Sequence, residues 1–205
     1  FGSSMPDHYF WHMNDYLNWG EPWYGGFRES QTDYRIDNQK FYELNYLPNM
    51  LGWFLVTPQT TTEDIDWMLA RAAGYNAGYA LVLRMETIKK NPDIATVTER
   101  IREWTEAQKK GLFTADQRNW LKDPANEVQL VRQPEGLTLV RYKKYSFIHH
   151  RKILQPGEPT SSEWNFTIPS SDDRAKIVLS AKGKTGQADN ISIELDRSVR
   201  VRIPV

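Results

Sequence analysis

Four carboxylates stand where a carboxyl group can act on a bound molecule: Asp15, Glu21, Glu29 and Glu86. Glu21 lies between Trp19 and Trp23. Apolar rings beside a carboxyl disfavour its charged form and raise its pKa, as a general acid requires. Around Glu21 the segment NWGEPWYGGFRES (18–30) gathers two Trp, a Tyr, a Phe, three Gly and Arg28. Flat rings with a polar edge suit cores, interfaces and sugar faces alike. The glycines allow close backbone approach and make the segment a poor helix or central strand. It predicts a pocket wall, with Gly for shape, rings for stacking and acids for polar contact or proton transfer. Structural readings stand beside these. Glu29 next to Arg28 is equally an ion pair that shapes the loop, and Glu86 is equally the first-turn acid of a following helix. Trp11 is equally a core filler, and Trp23 equally packs beneath the loop, whereas Trp19 and Tyr24 are the rings freest to stack a ligand.

Other chemistries find less support. His8 and His12 are four apart, but no HExxH pattern follows, so a metal site is not expected; His12 at a strand end is placed to bond a ligand hydroxyl. His149 and His150 are neighbours in a strand and point to opposite faces, which rules out a chelating pair. The run 141–152 carries Arg141, Lys143, Lys144, Arg151 and Lys152 between Tyr142, Tyr145 and Phe147. Its alternation predicts a solvated strand face more than a polyanion site. The chain has 26 basic and 26 acidic residues among 205, so no global field draws nucleic acid or an anionic surface. It has no cysteine, which excludes disulfides and thiolate chemistry. No P-loop, dinucleotide fingerprint or GxSxG elbow occurs. No cofactor is expected. No run of about 18 apolar residues is present, so no membrane-spanning helix is expected. The opening FGSSMPDHYF has neither an initiator Met nor a signal-peptide pattern, as in a mature or clipped start, and leaves a secreted origin open.

The elements that must position these residues alternate in type. HYFWHM (8–13) has strand length, and residues 31–47 have helical length with Tyr34, Phe41 and Leu44 on one side. NMLGWFLV (49–56) reads as a strand covered on both faces. In TTTEDIDWMLARAAG (60–74), Thr and acids open a helix, Ile65, Met68, Leu69 and Ala72 form its buried stripe, and Gly74 is placed to cap it. YALVLRM (79–85) is the next strand. Residues 93–110 form a helix with Ile94, Val97, Ile101 and Trp104 inward, ended by Gly111. Beyond a change of character at 111–126, EVQLVRQ (127–133), a Glu135-Gly136 turn and residues 137–154 suggest a hairpin. Alternation at Ile191, Ile193 and Leu195, and at Val199, Val201 and Ile203, fits half-buried antiparallel strands.

The expected fold class is therefore α/β plus all-β. Residues 1–115 supply parallel β/α units, 116–126 a linker, and 127–205 a small antiparallel β-sandwich. Three β/α units make neither a closed barrel nor a comfortable open sheet, since a (β/α)₈ barrel takes roughly 200–250 residues. The units are read as the late part of a TIM-type barrel whose first half lies outside this chain; a complete small α/β domain is the alternative. In such a layout chemistry sits past the C-terminal ends of the strands. That selects Asn14, Asp15 and the loop to Ser30, then Thr57 to Thr62, then Met85, Glu86 and Thr87.

The order WGEPWYGGFRESQ, LPNMLGWF, TTTEDIDWMLARAAGYNAGYAL, IREWTEAQKKGLFTADQRNWLKDP resembles the C-terminal half of large (β/α)₈ glycoside-hydrolase-like proteins of polysaccharide-degrading bacteria, which follow the barrel with a β-sandwich. The resemblance covers most of residues 5–130 and carries no diagnostic catalytic signature. It implies a carbohydrate-active enzyme acting on a polysaccharide or glycan, a secreted or periplasmic location, and the absent first half of the barrel as a partner segment. Glycoside hydrolysis needs two carboxyl groups at one glycosidic bond. Glu21, Glu86 and Asp15 are the catalytic candidates, and Trp19, Trp23, Tyr24, His12, Trp11 and Arg28 the substrate-binding ones. A non-catalytic carbohydrate-binding or accessory protein is the alternative function.

Overall fold

The computed structural model describes residues 50–142 throughout, with residues 2–3, 16–17, 27–28, 37, 39–40, 192–195 and 199–202 besides. The chain divides into two units, Phe1–Lys144 and Tyr145–Val205. In chain order the strands are β1 (Gly2–Ser3), β2 (Tyr16–Leu17), β3 (Met50–Leu55), β4 (Gly78–Val82), β5 (Glu127–Gln133), β6 (Gly136–Tyr142), β7 (Ser192–Leu195) and β8 (Val199–Arg202). The helices are α1 (Thr62–Tyr75), α2 (Met85–Lys90), α3 (Ile94–Lys109) and α4 (Ala115–Lys122).

The first unit is organised around α1. Thr61 caps it: its hydroxyl accepts from the Asp64 amide, and the Asp64 carboxylate accepts from the Thr61 amide. This reciprocal box satisfies two amides that a helix start otherwise leaves unpaired. The expected stripe of Ile65, Met68, Leu69 and Ala72 is buried, but so is every residue from Ile65 to Tyr75. The reason is that α3, α4 and β5 all pack on α1, so no side of it faces water. Gly74 is not the cap. Asn76 takes the left-handed conformation, with φ 51°, and the Asn76 and Ala77 amides bond the Ala73 and Ala72 carbonyls. Gly74 lies inside the helix instead, where an added Cβ would sit 2.8 Å from the Lys122 amide nitrogen and 3.0 Å from the Arg118 carbonyl oxygen. The missing side chain therefore lets α4 lie against α1.

β3 and β4 are parallel and joined through α1, a β–α–β unit. Their register slips between Met50 and Trp53, where Gly52 takes φ 123°, a conformation that glycine adopts at bulges. β4 ends at Val82, three residues short of the expected strand end at Met85, which instead opens α2. α3 closes as its sequence predicts: Gly111 has φ 63°, and the Gly111 and Leu112 amides bond the Gln108 and Ala107 carbonyls. Of its expected inward residues, Val97 and Trp104 are buried and Ile94 and Ile101 half-buried, while Glu103 and Ala107 are also buried.

The stretch expected as a linker, 116–126, holds α4 and its turn into β5. Thr114 and Gln117 form a second capping box that starts α4. β5 and β6 pair antiparallel through a two-residue turn, Pro134-Glu135, with Gln133 opposite Gly136. β5 buries Val128 and Leu130 against the core of α1, so this hairpin completes the first unit, which runs on to Lys144. In the second unit β7 and β8 form an antiparallel hairpin with Ile193 opposite Val201. Residues 37, 39 and 40 are helical, within the expected helix 31–47, and Gln39 donates to the Met50 carbonyl at 2.9 Å.

Candidate functional site

Two residues near the end of the ring-rich segment are described: Phe27, held against β3, and Arg28, held beside the start of α1. Phe27 packs its ring on Phe54 of β3, with centroids 5.3 Å apart at 44°. The Arg28 Nε donates to Asp64 Oδ1 at 2.7 Å, and its Nη1 donates to Glu127 Oε1 at 2.5 Å. Asp64 is the same residue that closes the α1 capping box, so one carboxylate ends the segment and starts the helix. Because α1 follows β3, its first turn lies at the C-terminal end of the parallel pair. The guanidinium also stands 5.5 Å from the Trp67 ring centroid. Burial opposes the Arg28 charge, yet the hydrogen bonds to Asp64 and Glu127 outweigh it and raise its pKa above the ordinary value. Arg28 is thus a cationic staple between α1, β5 and the segment that precedes it.

A second guanidinium lies on the same ring. Arg71 is 1% exposed, 5.2 Å from the Trp67 centroid, and donates from Nη2 to the Asn126 carbonyl at 3.0 Å. Its Nε and Nη1 are buried without hydrogen-bond partners. Burial, with a smaller contribution from the nearby Arg28 charge, pushes its pKa down to about 10, against the pull of Glu127 and Asp123. Trp67 itself donates from Nε1 to the Pro124 carbonyl at 2.8 Å, which fixes the ring beside the two cations.

The loop after β3 is braced rather than open. The Thr57 amide donates to Thr60 Oγ1 at 2.9 Å, and Asn91 Nδ2 donates to the Thr57 and Thr60 carbonyls at 3.0 and 2.9 Å. Thr87 Oγ1 donates to the Val56 carbonyl. The 57–62 loop is therefore tied through its backbone carbonyls to Asn91, just past α2, and Thr87 of α2 reaches the carbonyl of Val56 at the end of β3. Glu86 sits in the first turn of α2, exposed, and its carboxylate accepts from Lys90 Nζ at 2.6 Å, four residues on. That is the geometry of the first-turn acid set beside the catalytic reading above, and such exposed pairs contribute little stability.

Of the remaining expected site residues, Asp15, Glu21, Glu29, Trp11, His12, Trp19, Trp23 and Tyr24 lie outside the described residues, as do His8, His149 and His150. Glu86 and Arg28 are not brought together: Glu86 pairs with Lys90, Arg28 with Asp64 and Glu127. From the basic run, Arg141 is exposed and lies 4.4 Å from the Trp120 ring centroid, while Lys143, Lys144, Arg151 and Lys152 lie outside the described residues. Among the described residues no cluster of three or more His, Cys, Asp or Glu is placed to hold a metal ion, and no helix is long and apolar enough to cross a membrane.

Sequence reasoning did not foresee the buried charges. Asp66 and Glu103 are 1% and 3% exposed. Asp66 Oδ1 accepts from Trp104 Nε1 at 2.7 Å, and Arg100 bonds Glu103 at 3.1 Å and the Leu130 carbonyl at 2.6 Å. Arg132 of β5 adds a bond to Glu103 at 3.2 Å. The signal was present in DIDWMLAR, where Asp66 and Arg71 occupy a helix otherwise made of buried apolar residues.

The chain matches no known protein family, no curated protein and no solved structure.

Proposed function

We propose that the chain belongs to a carbohydrate-active protein, a glycoside hydrolase acting on a polysaccharide or glycan by carboxylate acid–base chemistry. Its β/α units would be late units of a TIM-type barrel, followed by a β-sandwich. The protein would work in a secreted or periplasmic setting. The observation that carries the reading is the Arg28 staple. It ties the end of the ring-rich segment to Asp64, at the C-terminal end of the parallel strands. That is the end at which parallel β/α folds place their chemistry. The segment contributes rings that stack on pyranose faces and Glu21 as the proton donor. Asp15 is the second carboxyl, because Glu86 is exposed and engaged by Lys90.

Affinity for oligosaccharides tests the reading. Trp19→Ala with Tyr24→Ala removes two stacking faces and is expected to weaken binding about 10- to 100-fold, the equivalent of roughly 1–3 kcal/mol. Isothermal titration against a panel of neutral and anionic oligosaccharides reads this directly. A wild-type chain that binds none of them contradicts the proposal.

A further inference from the structure

α2 is built inside out. A short helix on a protein surface ordinarily turns its apolar side chains inward. Here Thr87 and Asn91, 6% and 4% exposed, are the buried positions, and Met85 and Ile88 are 68% and 37% exposed. The polar pair cannot be rotated outward without losing bonds to the Val56, Thr57 and Thr60 carbonyls. Those bonds hold the outer stripe, Met85, Ile88 and Lys89 at i, i+3 and i+4, toward solvent. Leu83, just before the helix, is 41% exposed. Three of the four exposed large apolar side chains among the described residues thus fall within six positions, at the C-terminal end of β4.

The charges around this stripe are cationic. Arg84, Lys89 and Lys90 flank it, and the one acid, Glu86, is paired with Lys90. Arg84 and Lys89 make no side-chain ion pair among the described residues. The stretch 83–90 holds no aromatic ring, so it offers no platform for a sugar face. Aliphatic side chains thrust outward between long cationic ones suit the boundary between acyl chains and anionic headgroups. There the methyl-bearing ends enter the apolar layer, and the cations reach up to phosphates.

We propose that residues 83–90 form a peripheral docking site for an anionic lipid surface. The test is co-sedimentation of the full chain with vesicles of mixed phosphatidylglycerol and phosphatidylcholine, and with phosphatidylcholine alone. Wild type is expected to partition onto the anionic vesicles and only weakly onto the neutral ones. M85S/I88S and R84S/K89S are each expected to lower that partitioning by about tenfold or more, because the apolar and charged contributions act together. Their melting temperatures should match wild type, since all four side chains are exposed. Met85→Ser alone, at the most exposed position, carries the same test should a double variant unfold. The proposal is overturned if wild type stays in the supernatant with anionic vesicles. It is equally overturned if M85S/I88S and Met85→Ser bind as wild type does, which would show attraction by charge alone with no apolar insertion.

Discussion

Replacing Glu21 by Gln is expected to lower glycan turnover by about 10²- to 10⁴-fold while leaving oligosaccharide affinity near wild type. The amide keeps the shape of the carboxyl but has no acidic proton to give a leaving oxygen. Glu21 is chosen because Trp19 and Trp23 flank it in the chain, and a carboxyl beside apolar rings stays protonated to higher pH. Asp15→Asn is expected to be similarly damaging if it is the nucleophile or base of the pair. Glu86→Gln is expected to leave turnover within a few-fold of wild type, because Glu86 is exposed and bonded to Lys90 on the surface of α2. Reducing-end release measured on the three variants checks this. Binding without turnover in the wild-type protein would favour the non-catalytic carbohydrate-binding reading. Full turnover in both Glu21→Gln and Asp15→Asn would remove the acid–base assignment.

The second large effect concerns the buried charges that join α1 to α3. Asp66→Ala is expected to destabilise the first unit by roughly 3–5 kcal/mol, the range for stripping one partner from a buried charge cluster. Asp66 accepts a hydrogen bond from Trp104 Nε1 at 2.7 Å and faces Arg100 Nε at 3.7 Å. The longer of these is a charge contact and too long for a hydrogen bond, which agrees with Arg100 Nε having no hydrogen-bond partner. Without the carboxylate, a buried indole N–H loses its acceptor and the Arg100 guanidinium loses part of its counter-charge. Asp66→Asn keeps an oxygen for Trp104 and should cost less, about 1–2 kcal/mol. Urea unfolding of both variants gives the comparison. An Asp66→Ala variant within about 1 kcal/mol of wild type would show that the cluster is not holding the helices together.

The parts of this fold that follow local rules were legible in the chain. TTTED opens α1 through a capping box at Thr61, the apolar spacing of 93–110 yields α3, and Gly111 ends it in the left-handed conformation. The hairpin around residues 134–136 follows from its alternation and turn residues. Three features were missed or only half seen. GYN offers two residues able to end α1, and packing decides between them: Gly74 is needed where α4 approaches, so Asn76 turns the chain. T-A-D-Q at 114–117 was a readable capping box, but the change of composition around it suggested a linker instead of α4. α2 was visible only as the helix that Glu86 would open; it has no apolar inner stripe for periodicity to find, being held by Thr87 and Asn91 on backbone carbonyls. Of the candidate site, residue types and their order were visible, but not their long-range partners. Arg28 pairs with residues 36 and 99 positions away, and nothing in its immediate sequence names Asp64 or Glu127.

The central claim is that the segment 18–30 lines a sugar-sized cleft at the end of the strands where α1 begins. Amide hydrogen exchange with and without a bound oligosaccharide measures this most directly. Protection on binding is expected in residues 18–30 and in the first turn of α1, around Thr61 to Asp64. Binding that protects other parts of the chain and leaves 18–30 unchanged would contradict it.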